Sequence, residues 1–259
     1  MCTVTFIARE RGYLLGMNRD EKLSRIEGLA PVRMTIEGHE VLRPSEPGGG
    51  TWIALNDSGA CLALINWYSI SRAVHANPIS RGEVVRILAT AGSPDVASAR
   101  LHQMPLSRFK PFRLVGIFPG TLDLVEWRWD LRRLLQTKHA WWTQQWVSSG
   151  FDEPMAQRER GRTFQSALQQ RSVGRLEWLR RLHRSHHPEA GPLSTCMHRA
   201  DAATVSYTEV TVSKCQATMR YRAGQPCVGS EGVHILSMGV RRKASAGVVR
   251  SPAKGFGVV

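Results

Sequence analysis

No stretch of this 259-residue chain approaches the roughly 20 consecutive apolar residues that a bilayer-spanning helix needs. The opening residues also lack the basic start, long apolar run and small-residue cleavage site of a secretory leader. A cytoplasmic protein with no transmembrane segment is the expectation. Lysine is scarce: 6 of the 35 basic residues are lysine and 29 are arginine. Glycine-rich and aromatic-interleaved RNA motifs are missing. The formal charge of +14 therefore does not single out nucleic acid as a specific partner. The arginines read instead as solvated helix faces, above all over residues 158–184.

Five cysteines, Cys2, Cys61, Cys196, Cys215 and Cys227, are scattered without paired metal-ligand spacing, and their odd number argues against a disulfide framework. Free thiols are expected. His183, His186, His187, Cys196 and His198 form the one cluster rich in metal-ligand residue types, but Cys196-Met197-His198 does not supply the paired short spacings of a zinc site. They read as a helix end and a strand start, and no metal or cofactor is expected. Gly48-Gly49-Gly50 lacks the Lys-Ser/Thr and helix start of a phosphate loop.

What is present is a regular alternation of elements. Residues 2–8 alternate with period two, residues 9–12 read as a turn, and residues 13–17 resume an extended apolar run, which together make a hairpin. A Gly- and Pro-rich loop ends at Gly50. Residues 51–55 and 60–65 then flank Asn56-Asp57-Ser58-Gly59, punctuation for a second hairpin. Ser80-Arg81-Gly82-Glu83 has capping-box spacing, and Ser93-Pro94-Asp95 places proline and an acid in the first turn of a second helix expected to pack on the first.

Residues 112–118 and 122–129 return to strands, 154–170 and 172–183 are Arg-rich amphipathic helices, and 204–212 with 217–221 form one more strand pair. This order gives an α+β fold of antiparallel sheets covered by helices. Residues 1–227 are expected to form a single domain and 228–259 a basic, disordered tail.

Cys2 carries the chemistry. Removal of Met1, normal before a small residue, would leave a thiol and a free α-amine on one residue. The amine, with an unperturbed pKa of about 7.7–8.0, could act as base toward its own thiol. The first strand begins at Cys2, and Asn18-Arg19-Asp20-Glu21 on the adjoining strand offers an acid to hold the amine and an arginine to lower the thiol pKa.

The opening Met1-Cys2-Thr3-Val4-Thr5-Phe6, the run Gly12-Tyr13-Leu14-Leu15-Gly16-Met17-Asn18-Arg19-Asp20-Glu21, Gly49-Gly50-Thr51-Trp52-Ile53-Ala54, Leu64-Ile65-Asn66-Trp67-Tyr68 and Ser80-Arg81-Gly82-Glu83-Val84-Val85 resemble the NRDE family. That family is named for its Asn-Arg-Asp-Glu motif and includes the eukaryotic transport and Golgi organisation protein 2. The likeness covers residues 1–90 well and the rest loosely.

More distantly, the start is similar to bile-salt and penicillin-V hydrolases, whose N-terminal-nucleophile fold is a four-layer αββα sandwich. The resemblance implies that Cys2 is the nucleophile, that Asp20 contacts its amine and that Asn66 helps form an oxyanion hole; Asn18 and Arg19 complete the expected site. Where those hydrolases carry an arginine this chain has Met17, with Arg19 as the neighbouring substitute. Ser148-Ser149 falls where they carry a later asparagine, and Arg199 is the nearest candidate for their late arginine. The expected ligand is a small acyl or amide substrate. The alternative implied by the family is a non-catalytic haem or lipid trafficking protein. Intact-mass measurement of the purified chain should show Met1 absent; a retained methionine would remove the α-amine mechanism.

Overall fold

The computed structural model describes residues 2–70, 77–229 and 232–241. The expected first hairpin is β1 (Cys2–Arg9) with β2 (Gly12–Lys22), but β2 continues through the Asn18-Arg19-Asp20-Glu21 motif, which is strand and not a cluster beyond the strand's end. Every residue of β2 from Gly12 to Asp20 is buried. Burial on both faces needs cover above and below, and the fold supplies it.

Chain order continues with β3 (Leu29–Ile36), β4 (His39–Ser45), β5 (Ile53–Asn56), β6 (Cys61–Asn66), α1 (Gly82–Leu88), α2 (Pro94–Gln103), β7 (Phe112–Phe118), β8 (Asp123–Trp129), β9 (Leu134–His139) and β10 (Gln144–Ser148). After these come α3 (Glu153–Leu168), α4 (Leu176–His183), β11 (Ala202–Val212), β12 (Gln216–Ala223) and β13 (Val233–Gly239). One sheet runs β10-β1-β2-β11-β12-β13 and the other β3-β4-β5-β6-β7-β8-β9, and each neighbouring pair is antiparallel.

Three apolar interfaces stack the layers. Val4, Phe6, Leu15 and Met17 of the first sheet meet Leu55, Ala63, Ile65 and Val115 of the second. Val84, Val85, Leu88, Ala97 and Leu101 of α1 and α2 cover the far face of the second sheet against Leu62, Leu64 and Trp127. Phe164, Trp178, Leu179 and Leu182 of α3 and α4 cover the far face of the first, against Ile7 and Leu14. The result is the four-layer αββα sandwich of antiparallel sheets. Among the described residues, no helix is long and apolar enough to cross a membrane.

Several local expectations need correction. The hairpin β3–β4 replaces the expected loop; its turn is Glu37-Gly38, both at positive φ (51° and 76°), without the Asn-Gly signal that marks such turns in sequence. Strands β9 and β10 were also not foreseen, and β10 joins the sheet edge-on to β1. Ser93 caps α2 as expected, its Oγ accepting from Val96 N. Ser80 does not cap α1: position Arg81 is already helical, and Glu83, the other half of the box, is taken by Arg86.

The tail expected from Val228 contains β13, which pairs with β12 from Gln216↔Gly239 to Arg222↔Val233. An edge strand with one face toward solvent needs few apolar residues, so its sequence carries little signal. Residues 242–259 lie outside the described residues. The arginines also divide: Arg158 and Arg162 are exposed as expected, whereas Arg160 is wholly buried and Arg19, Arg43 and Arg222 nearly so.

Helix α4 docks on β2 through His183, which is fully buried. Gly16 makes room for it, since a Cβ there would lie 2.8 Å from His183 Nε2. Asn18 Nδ2 donates to the carbonyls of His183 (2.9 Å) and Thr195 (2.8 Å). Its Oδ1 is left as the acceptor for His183 Nδ1 at 3.0 Å, and Nε2 then accepts from Thr5 Oγ1 at 3.1 Å. Burial, reinforced by the nearby Arg160 cation, lowers the His183 pKa from 6.5 to about 3.

The unfolded chain therefore takes up this proton first as pH falls. The stability due to neutral His183 is complete above about pH 6.5 and is lost toward pH 3, at up to about 1.4 kcal/mol per pH unit. Urea titrations from pH 7 to pH 4 should show that loss in the wild type and a shallower one in His183→Gln; parallel curves would refute the assignment.

Candidate active site

Antiparallel register sets Cys2 between two partners, Arg19 on β2 and Ser148 on β10. The Cys2 backbone N–H donates to Ser148 Oγ at 3.0 Å. Ser148 thus stands beside Cys2, in the place that resemblance assigned to a later asparagine. Cys2 is 6% exposed and opens into a cavity of about 330 Å³ at the edge of the inter-sheet core. Arg19, Asp20 and Asn66 line the same cavity. Asn18 does not. Two-residue alternation along β2 turns Asn18 toward α4, where its amide holds the His183 and Thr195 carbonyls.

The same alternation separates the charges of the motif. Arg19 faces the second sheet, its guanidinium 4.5 Å from the Trp52 ring, and pairs with Glu46 at 2.9 Å and Glu21 at 3.4 Å. Arg25 closes a four-membered ring of charge, with Glu21 at 2.8 Å and Glu46 at 3.0 Å. Against the effect of burial, the Lys22 N–H, Arg25 and Arg19 hold Glu21 below the usual carboxylate range.

Asp20 faces the helices and is fully buried. Its Oδ2 accepts from Arg160 Nη1 of α3 at 3.1 Å, and its Oδ1 accepts from Thr204 Oγ1 at 2.7 Å. Arg160 Nη1 also donates to Thr3 Oγ1 at 2.7 Å, its Nε to the Leu193 carbonyl at 3.4 Å and its Nη2 to the Pro192 carbonyl at 3.3 Å. Beside Asp20, β11 bulges between Thr204 and Ser206.

These contacts revise two expectations. Arg19 was expected to depress the Cys2 thiol; it does act in that direction, but burial dominates, the Asp20 carboxylate adds to it, and the net shift is upward. Arg199 was the candidate late arginine; it pairs with Asp201 at 2.8 Å, lies over the Phe151 ring and does not line the cavity. Met17 is buried between the sheets and gives the cavity no polar group.

Arg160 was missed. Its signal was helical phase, because it shares the buried face of α3 with Ala156, Phe164 and Ala167, an arginine within an apolar stripe.

On the far wall, Asn66 at the end of β6 gives one amide hydrogen to Tyr68 Oη at 2.7 Å and keeps a second donor. The rim is formed where α1 begins: Thr51 N donates to the Gly82 carbonyl at 3.1 Å, and a Cβ on Gly82 would lie 2.8 Å from that nitrogen. Arg81 and Lys110 also line the cavity, and among the described residues neither has a carboxylate at ion-pair distance. A larger hollow of about 660 Å³, lined by Trp142, Gln144, Trp146 and Gln157, lies on the other side of β10 and contains none of the expected site residues.

Removing one member of a fully buried ion pair leaves the other uncompensated, at a cost of about 3–5 kcal/mol. Arg160→Met should lower unfolding stability by that amount in chemical denaturation, whereas Arg162→Met on the exposed face should change it by less than about 0.5 kcal/mol.

Two solved structures share the architecture. One is a mutant of the conjugated bile acid hydrolase from Clostridium perfringens, at TM-score 0.50 and 11% identity, covering 91% of this chain and 92% of that one. The other is a penicillin V acylase from Agrobacterium tumefaciens, at TM-score 0.50 and 10% identity, covering 86% and 83%. Such low identity establishes the fold alone, an N-terminal-nucleophile hydrolase-like sandwich. No curated protein matches the chain significantly. Residues 1–126 match the family Transport and Golgi organisation 2, and Cys2, Asn66 and the Asn18-Arg19-Asp20-Glu21 motif fall inside the matched stretch.

Proposed function

We propose that the chain hydrolyses an amide or other acyl bond of a small molecule, with Cys2 as nucleophile once Met1 is removed. The observation that carries this reading is the placement of Cys2. It is held at the head of a buried strand, open to a cavity, with its backbone nitrogen on Ser148 Oγ and the buried Asp20 carboxylate on the adjacent strand. A strand held from both sides does not fray, so the nitrogen and the thiol of one residue keep a constant relation to the cavity.

Because burial raises the thiol pKa, the thiol stays protonated near neutral pH, and the α-amine must take its proton during attack. The sulfur adds to the carbonyl carbon while that proton passes to the amine. The leaving nitrogen then takes the proton as the C–N bond breaks, giving a thioester. Water attacks the thioester, releases the carboxylic acid and restores the thiol. Asn66 offers its free amide hydrogen to the oxyanion, and Asp20, kept in place by Arg160, holds the amine.

The charge of the cavity narrows the substrate. Arg19 and Arg25 are matched by Glu21 and Glu46, so among the described residues Arg81 and Lys110 are the cavity cations without a carboxylate at ion-pair distance. An amide that carries a carboxylate or another anionic group fits them.

An activated-ester probe bearing a carboxylate should label wild-type Cys2, as read by peptide mass spectrometry, and leave Cys2→Ala unlabelled at its N-terminus. Loss of an oxyanion donor costs about 10²–10³-fold, so Asn66→Ala should slow labelling to that extent. Labelling confined to the exposed Cys215 would reject Cys2 as nucleophile.

A further inference from the structure

Beyond the cavity at Cys2, a second group of side chains converges where the segment between α4 and β11 meets the turn after β12. His186, Cys196, His198 and Cys227 bring two imidazole nitrogens and two sulfurs within 4.8 Å of one another. His198 Nε2 lies 3.7 Å from Cys196 Sγ, 3.5 Å from Cys227 Sγ and 3.0 Å from His186 Nε2.

Tetrahedral zinc, with Zn–S near 2.3 Å and Zn–N near 2.0–2.1 Å, requires ligand–ligand edges of about 3.6 Å for S–N and 3.3 Å for N–N. The three edges at His198 lie within about 0.3 Å of these values, and the widest spacing in the group, up to 4.8 Å, must contract as the side chains close on the ion. We propose that these four residues form a structural Cys2His2 zinc site.

The chemistry of the group supports a metal over chance packing. Both histidines turn Nε2 to one point, and their rings meet edge to face at 80°. Two imidazole nitrogens 3.0 Å apart can both present their lone pairs to one shared cation. The thiols come from opposite ends of the β11–β12 hairpin, with Cys196 buried and Cys227 half-buried. The guanidinium of Arg222, which donates to the Pro226 carbonyl at 3.1 Å, stands beside the two sulfurs. Four protein ligands leave no open position, so the site is structural and not catalytic.

Spacing hid this site. Cys196 and His198 are two residues apart, but the second cysteine is 29 residues beyond His198. Antiparallel pairing of β11 with β12, Ser206 opposite Ala223, folds the chain after β12 back toward the segment before β11. The bridge His198↔Ala203 fixes the other side. His183 and His187 take no part, the first being held by Asn18 and Thr5.

The site has a structural consequence that holds whether or not Cys2 is a nucleophile. It would pin the segment that supplies the Pro192 and Leu193 carbonyls to Arg160 and the Thr195 carbonyl to Asn18.

The test uses the untagged full-length chain, purified under reducing conditions, loaded with zinc, dialysed against metal-free buffer and assayed by elemental mass spectrometry. One zinc per chain is expected, and cobalt in its place should give the intense visible absorption of a tetrahedral thiolate complex. Even an outer-shell partner is worth about 10–100-fold in metal affinity, so Cys227→Ser and His186→Ala should each weaken zinc retention by at least that much. Cys215→Ser should retain one equivalent. His186 is exposed, so His186→Ala serves as the test should Cys227→Ser fail to fold. A wild type without zinc, unchanged retention in His186→Ala, or a Cys196–Cys227 disulfide that persists under these conditions and excludes metal would each overturn the proposal.

Discussion

A guanidinium removed from water must be matched by a carboxylate and by acceptors for its remaining hydrogens, and Arg160 meets that demand with groups from three other parts of the chain. Asp20 of β2 supplies the charge, Thr3 of β1 a hydroxyl, and Pro192 and Leu193 two carbonyls, while Thr204 of β11 holds the other oxygen of Asp20. Helix α3, three adjacent strands and the segment before β11 therefore cannot shift independently. Cys2 sits directly above this network, one residue from Thr3 and opposite the neighbour of Asp20. The stiffness of the candidate site derives from a charge pair between β2 and the helical layer, whose aspartate also borders the cavity.

Strand periodicity distributes the remaining roles. Because β2 is buried on both faces, its motif cannot act as a single cluster. Asn18 and Asp20 serve the helical layer, one by docking His183 and the other by matching Arg160. Arg19 and Glu21 serve the cavity as half of a neutral four-charge ring. A motif that reads as four adjacent polar residues is thus two pairs with different functions.

That division marks the boundary of what could be read in advance. The first two hairpins, the α1–α2 pair, the strands around Gly120 and the two later helices were legible from alternation and capping, since a half-buried element must repeat its apolar residues at its own period. The strands β3, β4, β9, β10 and β13 were not: β3, β9, β10 and β13 are sheet edges with little apolar face to display, and β4 is a short interior strand that ends in Pro44 and Ser45 and leads into the Gly- and Pro-rich loop. At the site, Cys2, Arg19, Asp20 and Asn66 were foreseen and share a cavity, whereas Asn18 was foreseen with them and is turned away. Arg160 left one trace, an arginine in phase with an apolar stripe, in a helix whose other arginines are solvated.

By itself the sequence determined the four helices and the strongly alternating strands, the hairpin that brings Cys2 beside Arg19, and the likeness to a family, because these depend on local period and on residues close together in the chain. The tertiary structure alone decided that Cys2 is buried enough to raise its thiol pKa, that Ser148 meets its backbone nitrogen, that Arg160 balances Asp20, and that Cys227 reaches His198. Each of these joins residues distant in sequence, and only the pairing of strands and the stacking of layers brings their charges and donors within range.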